Sequence, residues 1–328
     1  MRFVTVTASA VALVALPLLF GCPKQEPSGS GSSKKLRIAV LPKGTAHSFW
    51  QTVKAGADAA GREENVEIIW QGPAKETDYM EQINIVQNQI TAGVDGIVLA
   101  ATDAEGLVKP VKDALARHIP VVTIDSGLKK DDDPSLAFVA TDNVAGGRKA
   151  AGELARLVGG KGKVGILPFI KGAGSSDQRE QGFTEEIKKY PGITLVPVLY
   201  TDGDPQKALD QTINMLTASP DLAGIFAANE PNGIGAANAL KQKNLIGKVK
   251  LVAFDASPEQ LKALEAGIVQ ALVVQDPFQM GYQGVKTVLK AIRKQPIAQR
   301  TIDTGVTVVT KDNLNTPEVQ KLVNPKLP

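Results

Sequence analysis

Leu36-Arg37-Ile38-Ala39-Val40-Leu41-Pro42-Lys43-Gly44-Thr45-Ala46-His47-Ser48-Phe49-Trp50 reads as a strand, a loop and the first turn of a helix. Leu36–Leu41 is nearly continuous in its apolarity, which predicts a strand buried on both faces. Pro42-Lys43-Gly44-Thr45 interrupts it, and Ser48 is the predicted N-cap of a helix through Val53, Ala57 and Ala60. Two adjacent aromatics therefore stand at the top of a first βα turn, where open α/β sheets place their ligands. With Gly44 as its single glycine, the turn is not a phosphate cradle.

Outward from this stretch, strands and helices alternate. Strands are predicted at Val66–Trp70, Gly96–Ala100, Pro120–Ile124 and Leu136–Ala140, with helices at Glu76–Thr91 and Ala104–Arg117. After Thr141-Asp142 the pattern restarts with helix Val144–Val158 and strand Lys163–Pro168. Helices Asp177–Lys189, Pro205–Thr217, Gly233–Gln242 and Pro258–Ala266 then alternate with strands Thr194–Tyr200, Gly224–Ala228, Val249–Phe254 and Val269–Gln275. Helix Phe278–Arg293 and an extended Ile302–Thr310 follow. Such alternation implies an α/β fold of parallel sheets covered on both faces, and two successive runs imply two similar lobes.

The chain has 328 residues, 43% hydrophobic, with 37 basic and 34 acidic residues, which is enough for two domains with a core each. The net charge of +3 argues against a nucleic-acid partner. Met1-Arg2, the uncharged apolar run Phe3–Phe20 and Leu19-Phe20-Gly21-Cys22 have the layout of an export signal, and the ending resembles a lipoprotein lipobox. Residues 1–22 are accordingly expected to be a signal peptide, with Cys22, the single cysteine, as the lipidation site. Residues 23–35 (PKQEPSGSGSSKK) read as a flexible tether.

Catalytic chemistry is missing. His47 and His118 are the sole histidines, no metal-ligand spacing exists, and Walker, Gly-X-Gly-X-X-Gly and Gly-X-Ser-X-Gly motifs are absent. The reading is of a protein that is not an enzyme and uses no cofactor and no metal. Polar groups stand instead where strands end, at Asp125, Asn229-Glu230, Asp255 and Gln275-Asp276. Such acceptors and amides suit the hydroxyls of a sugar or polyol, and the rings of Phe49 and Trp50 suit its C–H faces.

These residues, together with Pro120-Val121-Val122-Thr123-Ile124-Asp125, Thr141-Asp142-Asn143-Val144-Ala145-Gly146-Gly147, Arg179-Glu180-Gln181-Gly182-Phe183, Phe226-Ala227-Ala228-Asn229, Phe254-Asp255 and Gln275-Asp276-Pro277, carry a family resemblance. The chain resembles the periplasmic sugar-binding proteins of the ribose-binding type, receptor subunits of ABC importers, over essentially all of Leu36–Thr310. The resemblance implies a type I periplasmic-binding-protein fold: two Rossmann-like lobes joined by a three-crossing hinge. It places one lobe at residues 36–141 plus 276–303 and the other at 142–275 plus 304–328. It maps ligand-binding positions onto His47, Phe49, Trp50, Asp125, Asn229, Asp255 and Gln275. Ser126 and Asp177 stand where ribose binders have arginines, and Gly203 where they have a wall phenylalanine. Losing two guanidiniums and one ring points away from ribose itself. Lys43 is a further candidate donor.

The implied function is capture of a monosaccharide or polyol between closing lobes and its delivery to an ABC permease. The implied protein is a monomer, lipid-anchored in the periplasm or on the outer face of the cytoplasmic membrane. A nucleoside or autoinducer-type receptor on the same fold is the alternative, as is a sugar-sensing partner of a chemoreceptor or kinase. A sugar-responsive repressor needs an N-terminal helix-turn-helix where this chain has its signal segment.

Overall fold

The computed structural model describes residues 1–10, 35–129 and 131–325. Residues 1–10 form neither helix nor strand, and the folded body begins at Lys35. Cys22 and residues 23–34 of the expected tether lie outside the described residues. No helix among the described residues is long and apolar enough to cross a membrane.

Two sheets of matching topology organise the body. Strands β1 (Arg37–Leu41), β2 (Glu67–Trp70), β3 (Gly96–Leu99), β4 (Val121–Ile124), β5 (Phe138–Ala140) and β11 (Thr301–Asp303) form the first, in the order β11-β5-β4-β3-β1-β2. Strands β6 (Lys161–Leu167), β7 (Gly192–Leu195), β8 (Leu222–Ala227), β9 (Lys250–Phe254), β10 (Ala271–Gln275) and β12 (Val306–Val309) form the second, in the order β12-β10-β9-β8-β6-β7. Every neighbouring pair is parallel except β10 with β12. The order reverses beside β1 and beside β6, so each sheet opens a crevice at its carboxyl end.

Helices cover both faces of each sheet, and the strands alternate between two cores accordingly. Ile38 and Val40 of β1 join the core under α1 (Ser48–Glu63) and α9 (Pro277–Ile292). Ala39 and Leu41 join the opposite core, under α2 (Tyr79–Thr91) and α3 (Val108–Ala116). In the second lobe Val252 and Phe254 of β9 face α4 (Asn143–Leu157) and α5 (Gly174–Ile187). Leu251 and Ala253 face α6 (Pro205–Ala218), α7 (Glu230–Gln242) and α8 (Pro258–Glu265). A final helix, α10 (Pro317–Val323), adds Val319 to this last core.

The chain passes between the lobes three times: after β5, after β10, and between β11 and β12. Asp303 ties the first and third passages by accepting the N–H groups of Asp142 (3.2 Å) and Gly305 (2.8 Å). The expected single extended segment Ile302–Thr310 is therefore two strands in different sheets, bent at Gly305, whose φ of +82° suits glycine. Other boundaries shift as well. Helix α2 starts at Tyr79 rather than Glu76, which leaves Glu76 in a loop. The turn at Asp103, whose carboxylate takes the N–H groups of Glu105 and Gly106, delays α3 to Val108. Strand β7 ends at Leu195, short of the expected Tyr200.

In both lobes one helix pair is pressed together at reciprocal glycines. A Cβ on Gly56 of α1 would lie 2.0 Å from Phe278 O, and one on Gly281 of α9 2.0 Å from Val53 O. On α4 and α5, a Cβ on Gly147 would meet Arg179 O at 2.2 Å, and one on Gly182 Val144 O at 2.0 Å. Each contact is with backbone, which cannot swing aside. Gly281→Ala and Gly147→Ala are each expected to destabilise by about 1–3 kcal/mol in urea unfolding. Gly152→Ala, on the same helix as Gly147 but with nothing nearer than Tyr190 Oη at 3.7 Å, is expected to stabilise by about 0.5–1 kcal/mol.

Candidate functional site

The carboxyl ends of the two sheets face each other across a cleft of about 290 Å³. The left-handed residues that follow β4 and β9 stand on opposite sides of it: Asp125 (φ 55°) and Asp255 (φ 75°). Each directs a carboxylate into the cleft from the equivalent strand of its own lobe.

On the first-lobe side, Lys43 is 3% exposed and is surrounded by polar partners. Its Nζ lies 3.0 Å from Asp125 Oδ2 and 3.7 Å from Glu76 Oε2, and it donates to Ser126 Oγ and Ser175 Oγ at 3.1 Å each. Ser175 belongs to the opposite lobe. The Trp50 indole donates to Glu76 Oε1 (2.8 Å) and stands edge-on to Phe49 at 4.9 Å and 89°. Burial disfavours the Glu76 carboxylate, but Lys43, His47 and Trp50 outweigh it and hold Glu76 at about 2. Burial likewise opposes a charge on His47, whose Nδ1 is 3.6 Å from Glu76, yet Glu76, Glu230 and Asp255 raise its pKa above the ordinary value.

On the second-lobe side, Arg179 is 2% exposed, with Nε donating to Asn143 Oδ1 (2.8 Å), a terminal nitrogen donating to Ala228 O (2.7 Å), and its plane 3.8 Å over the Phe254 ring. Asn229 caps α7 through Asn232 N and lines the cleft. Asp255 accepts from Gln275 Nε2 (2.7 Å) and from Glu230 N (2.9 Å). Burial, helped by Glu230 and Asp125, pushes Asp255 up to about 6 against the pull of Arg179 and Gln275. Among the described residues, Gln275 Oε1 and Asp125 Oδ2 are buried without a hydrogen bond; the latter has only its ion-pair contact with Lys43. Buried acceptors of this kind call for donors.

Of the residues singled out in the sequence, Lys43, His47, Phe49, Trp50, Asp125, Asn229, Asp255 and Gln275 line the cleft together. Two do not. Ser126 is turned onto Lys43 and Ser175 (Oγ–Oγ 2.7 Å), packed beneath the cleft wall. Asp177 is exposed on α5, with both carboxylate oxygens 3.2 Å from Gly172 N, because α5 begins earlier than expected and turns that position outward. Nor does Gly203 leave the wall bare: Phe169, whose carbonyl accepts from Asp202 N (2.8 Å), lines the cleft beside it.

Four lining residues escaped the sequence reading. Glu76 stood at an expected helix start, Arg179 lay inside a quoted motif without a role, and Phe169 after β6 and Pro231 in the first turn of α7 had no motif to mark them, whereas Glu230, named with Asn229 as a strand-end polar group, lines the cleft as expected. No group of three His, Cys, Asp or Glu placed to hold a metal occurs among the described residues.

Residues 38–296 match the family model described as "Periplasmic binding protein domain". The chain belongs to that family. Periplasmic binding proteins are transport components with no catalysis of their own, and membership implies a periplasmic site of action. The D-allose-binding periplasmic protein of Escherichia coli is 33% identical over 259 residues, 77% of this chain and 83% of the relative. An ABC transporter solute-binding protein of Agrobacterium vitis, solved with bound D-fucose, is 42% identical with a TM-score of 0.85, covering 88% of this chain and 99% of its own. A carbohydrate transporter solute-binding protein of Agrobacterium radiobacter, in complex with D-arabinose, is 36% identical with a TM-score of 0.86, covering 89% and 100%.

In this periplasmic binding protein the ionised Asp255 carboxylate is the form in which both oxygens act purely as acceptors. With a pKa of about 6, it is about nine-tenths ionised at pH 7 and about one-tenth at pH 5. Because the folded value lies above the ordinary one, protonation of Asp255 favours the folded chain between about pH 6 and 4. Acid should therefore weaken binding without unfolding through this group. Ligand affinity is expected to fall up to about tenfold from pH 7 to pH 5 in calorimetric titrations, and Asp255→Asn should bind weakly with no such slope.

Proposed function

We propose that the cleft captures one neutral monosaccharide or polyol, and that the protein delivers it as the receptor of an ABC importer. The observation that carries this reading is the pair of buried, hydrogen-bond-free acceptors, Gln275 Oε1 and Asp125 Oδ2, beside the Phe49, Trp50 and Phe169 rings. Hydroxyls supply the donor that Gln275 Oε1 lacks and a second one for Asp125 Oδ2 beside the Lys43 ammonium, and the rings accept the apolar face of a pyranose or furanose. The sugars named for the relatives, D-allose, D-fucose and D-arabinose, are of this class.

The lobes proposed to move are residues 36–141 with 276–303 and residues 142–275 with 304–328. Ligand contacts from both stabilise the closed arrangement, so binding shifts the population toward it. The export signal with its cysteine at position 22 supports a lipid anchor at the periplasmic membrane surface, and the near-balanced charge argues against a nucleic-acid partner; the protein is proposed to act as a monomer.

A thermal-shift screen over pentoses, hexoses, polyols and nucleosides tests the ligand class. At least one sugar or polyol is expected to raise the melting temperature by several degrees, and Asp255→Ala to abolish the rise while the protein still melts cooperatively. A shift with nucleosides alone would overturn the sugar reading. For the anchor, an alkynyl palmitate fed to expressing cells is expected to label the protein, and Cys22→Ser to remove the label.

A further inference from the structure

Helix α1 supplies the Phe49–Trp50 wall of the cleft, yet its own lobe does not cap it. The N-cap residue is His47, which makes no side-chain capping bond, and the first turn holds no acidic residue. The first N–H groups of a helix need acceptors, and an anionic one also complements the helix dipole. Here both come from the opposite lobe. Glu230, at the start of α7 and 6% exposed, accepts Ser48 N through Oε1 (3.2 Å) and Phe49 N through Oε2 (3.0 Å).

We propose that Glu230 is a positioning residue: it caps α1 across the cleft and so sets how tightly the closed lobes hold a ligand. This rests on the reading of the cleft as a sugar site. Both Glu230 oxygens are committed to backbone amides, so the side chain acts through α1. Its backbone N–H is bonded to Asp255 Oδ2, and Asp255 Oδ1 to Gln275 Nε2 at the end of the strand that leads into the hinge. A ligand held by Asp255 and Gln275 thereby steadies the residue that caps α1. The capping bonds exist only while Ser48 and Glu230 are in contact across the cleft, so every separation of the lobes must break them. Other bonds across the cleft, Lys43 to Ser175, Ser126 to Ser175 and Ala104 N to Gly172 O, lie at different points and do not involve α1.

The test compares wild type, Glu230→Ala and Glu230→Gln in the full chain, using the two sugars that give the largest thermal shifts. Glu230→Ala is expected to weaken both by the same factor, about tenfold, chiefly through faster dissociation, and Glu230→Gln, which keeps one acceptor oxygen, to lie between. Amide exchange at Ser48 and Phe49 in the sugar-saturated protein should accelerate in Glu230→Ala. Unequal losses for the two sugars would make Glu230 a ligand contact and overturn the proposal, as would unchanged affinity or unchanged exchange. If no sugar binds, the sugar reading fails by itself. Exchange at the two amides in the ligand-free protein then decides the cap, equal rates in wild type and Glu230→Ala overturning it.

Discussion

An ammonium removed from water demands counter-charges and acceptors around it, and Lys43 obtains them from three separate parts of the chain. Asp125 comes from the end of β4, Glu76 from the loop before α2, and Ser175 from the other lobe. Without Lys43, Asp125 and Glu76 would be two buried carboxylates facing the same cavity. The arrangement also places the Lys43 Nζ 5.1 Å from the Phe169 ring and 5.7 Å from that of Trp50, so the aromatic rim and the charge centre hold one another in place. The polar side chains around Lys43 thus fix one another, a rigidity that favours discrimination among similar hydroxyl patterns.

The lobes repeat one design, and the differences between them are where function enters. Each presents an aspartate in left-handed backbone after its fourth strand, and each packs one helix pair through reciprocal glycines. The bonds at Asp303 knit two of the three passages together.

Much of this was legible in the residues. The apolar runs of β1, β3 and β4 and the restart after Thr141-Asp142 carry the two-lobed parallel architecture, because a parallel strand covered on both faces cannot tolerate polar interruption. The strand-end acids Asp125 and Asp255 were legible for the same reason. Asp177 was not, since its placement in the cleft came from the resemblance to ribose binders, whereas its carboxylate lies on the exposed face of α5, against Gly172 N. Glu76 reads equally well as the first residue of a helix or as a loop acid; only the fold around Lys43 distinguishes the two. Helix α1 shows the same limit, because its cap lies 182 positions away at Glu230.

The account stands or falls on what occupies the cleft. A crystal structure of the protein saturated with the sugar that stabilises it most would show this directly. The expected result is a single sugar ring between the lobes, its hydroxyls within hydrogen-bond distance of Asp125 Oδ2 and Gln275 Oε1. A sugar bound elsewhere, or one that leaves both oxygens without a donor, would contradict it.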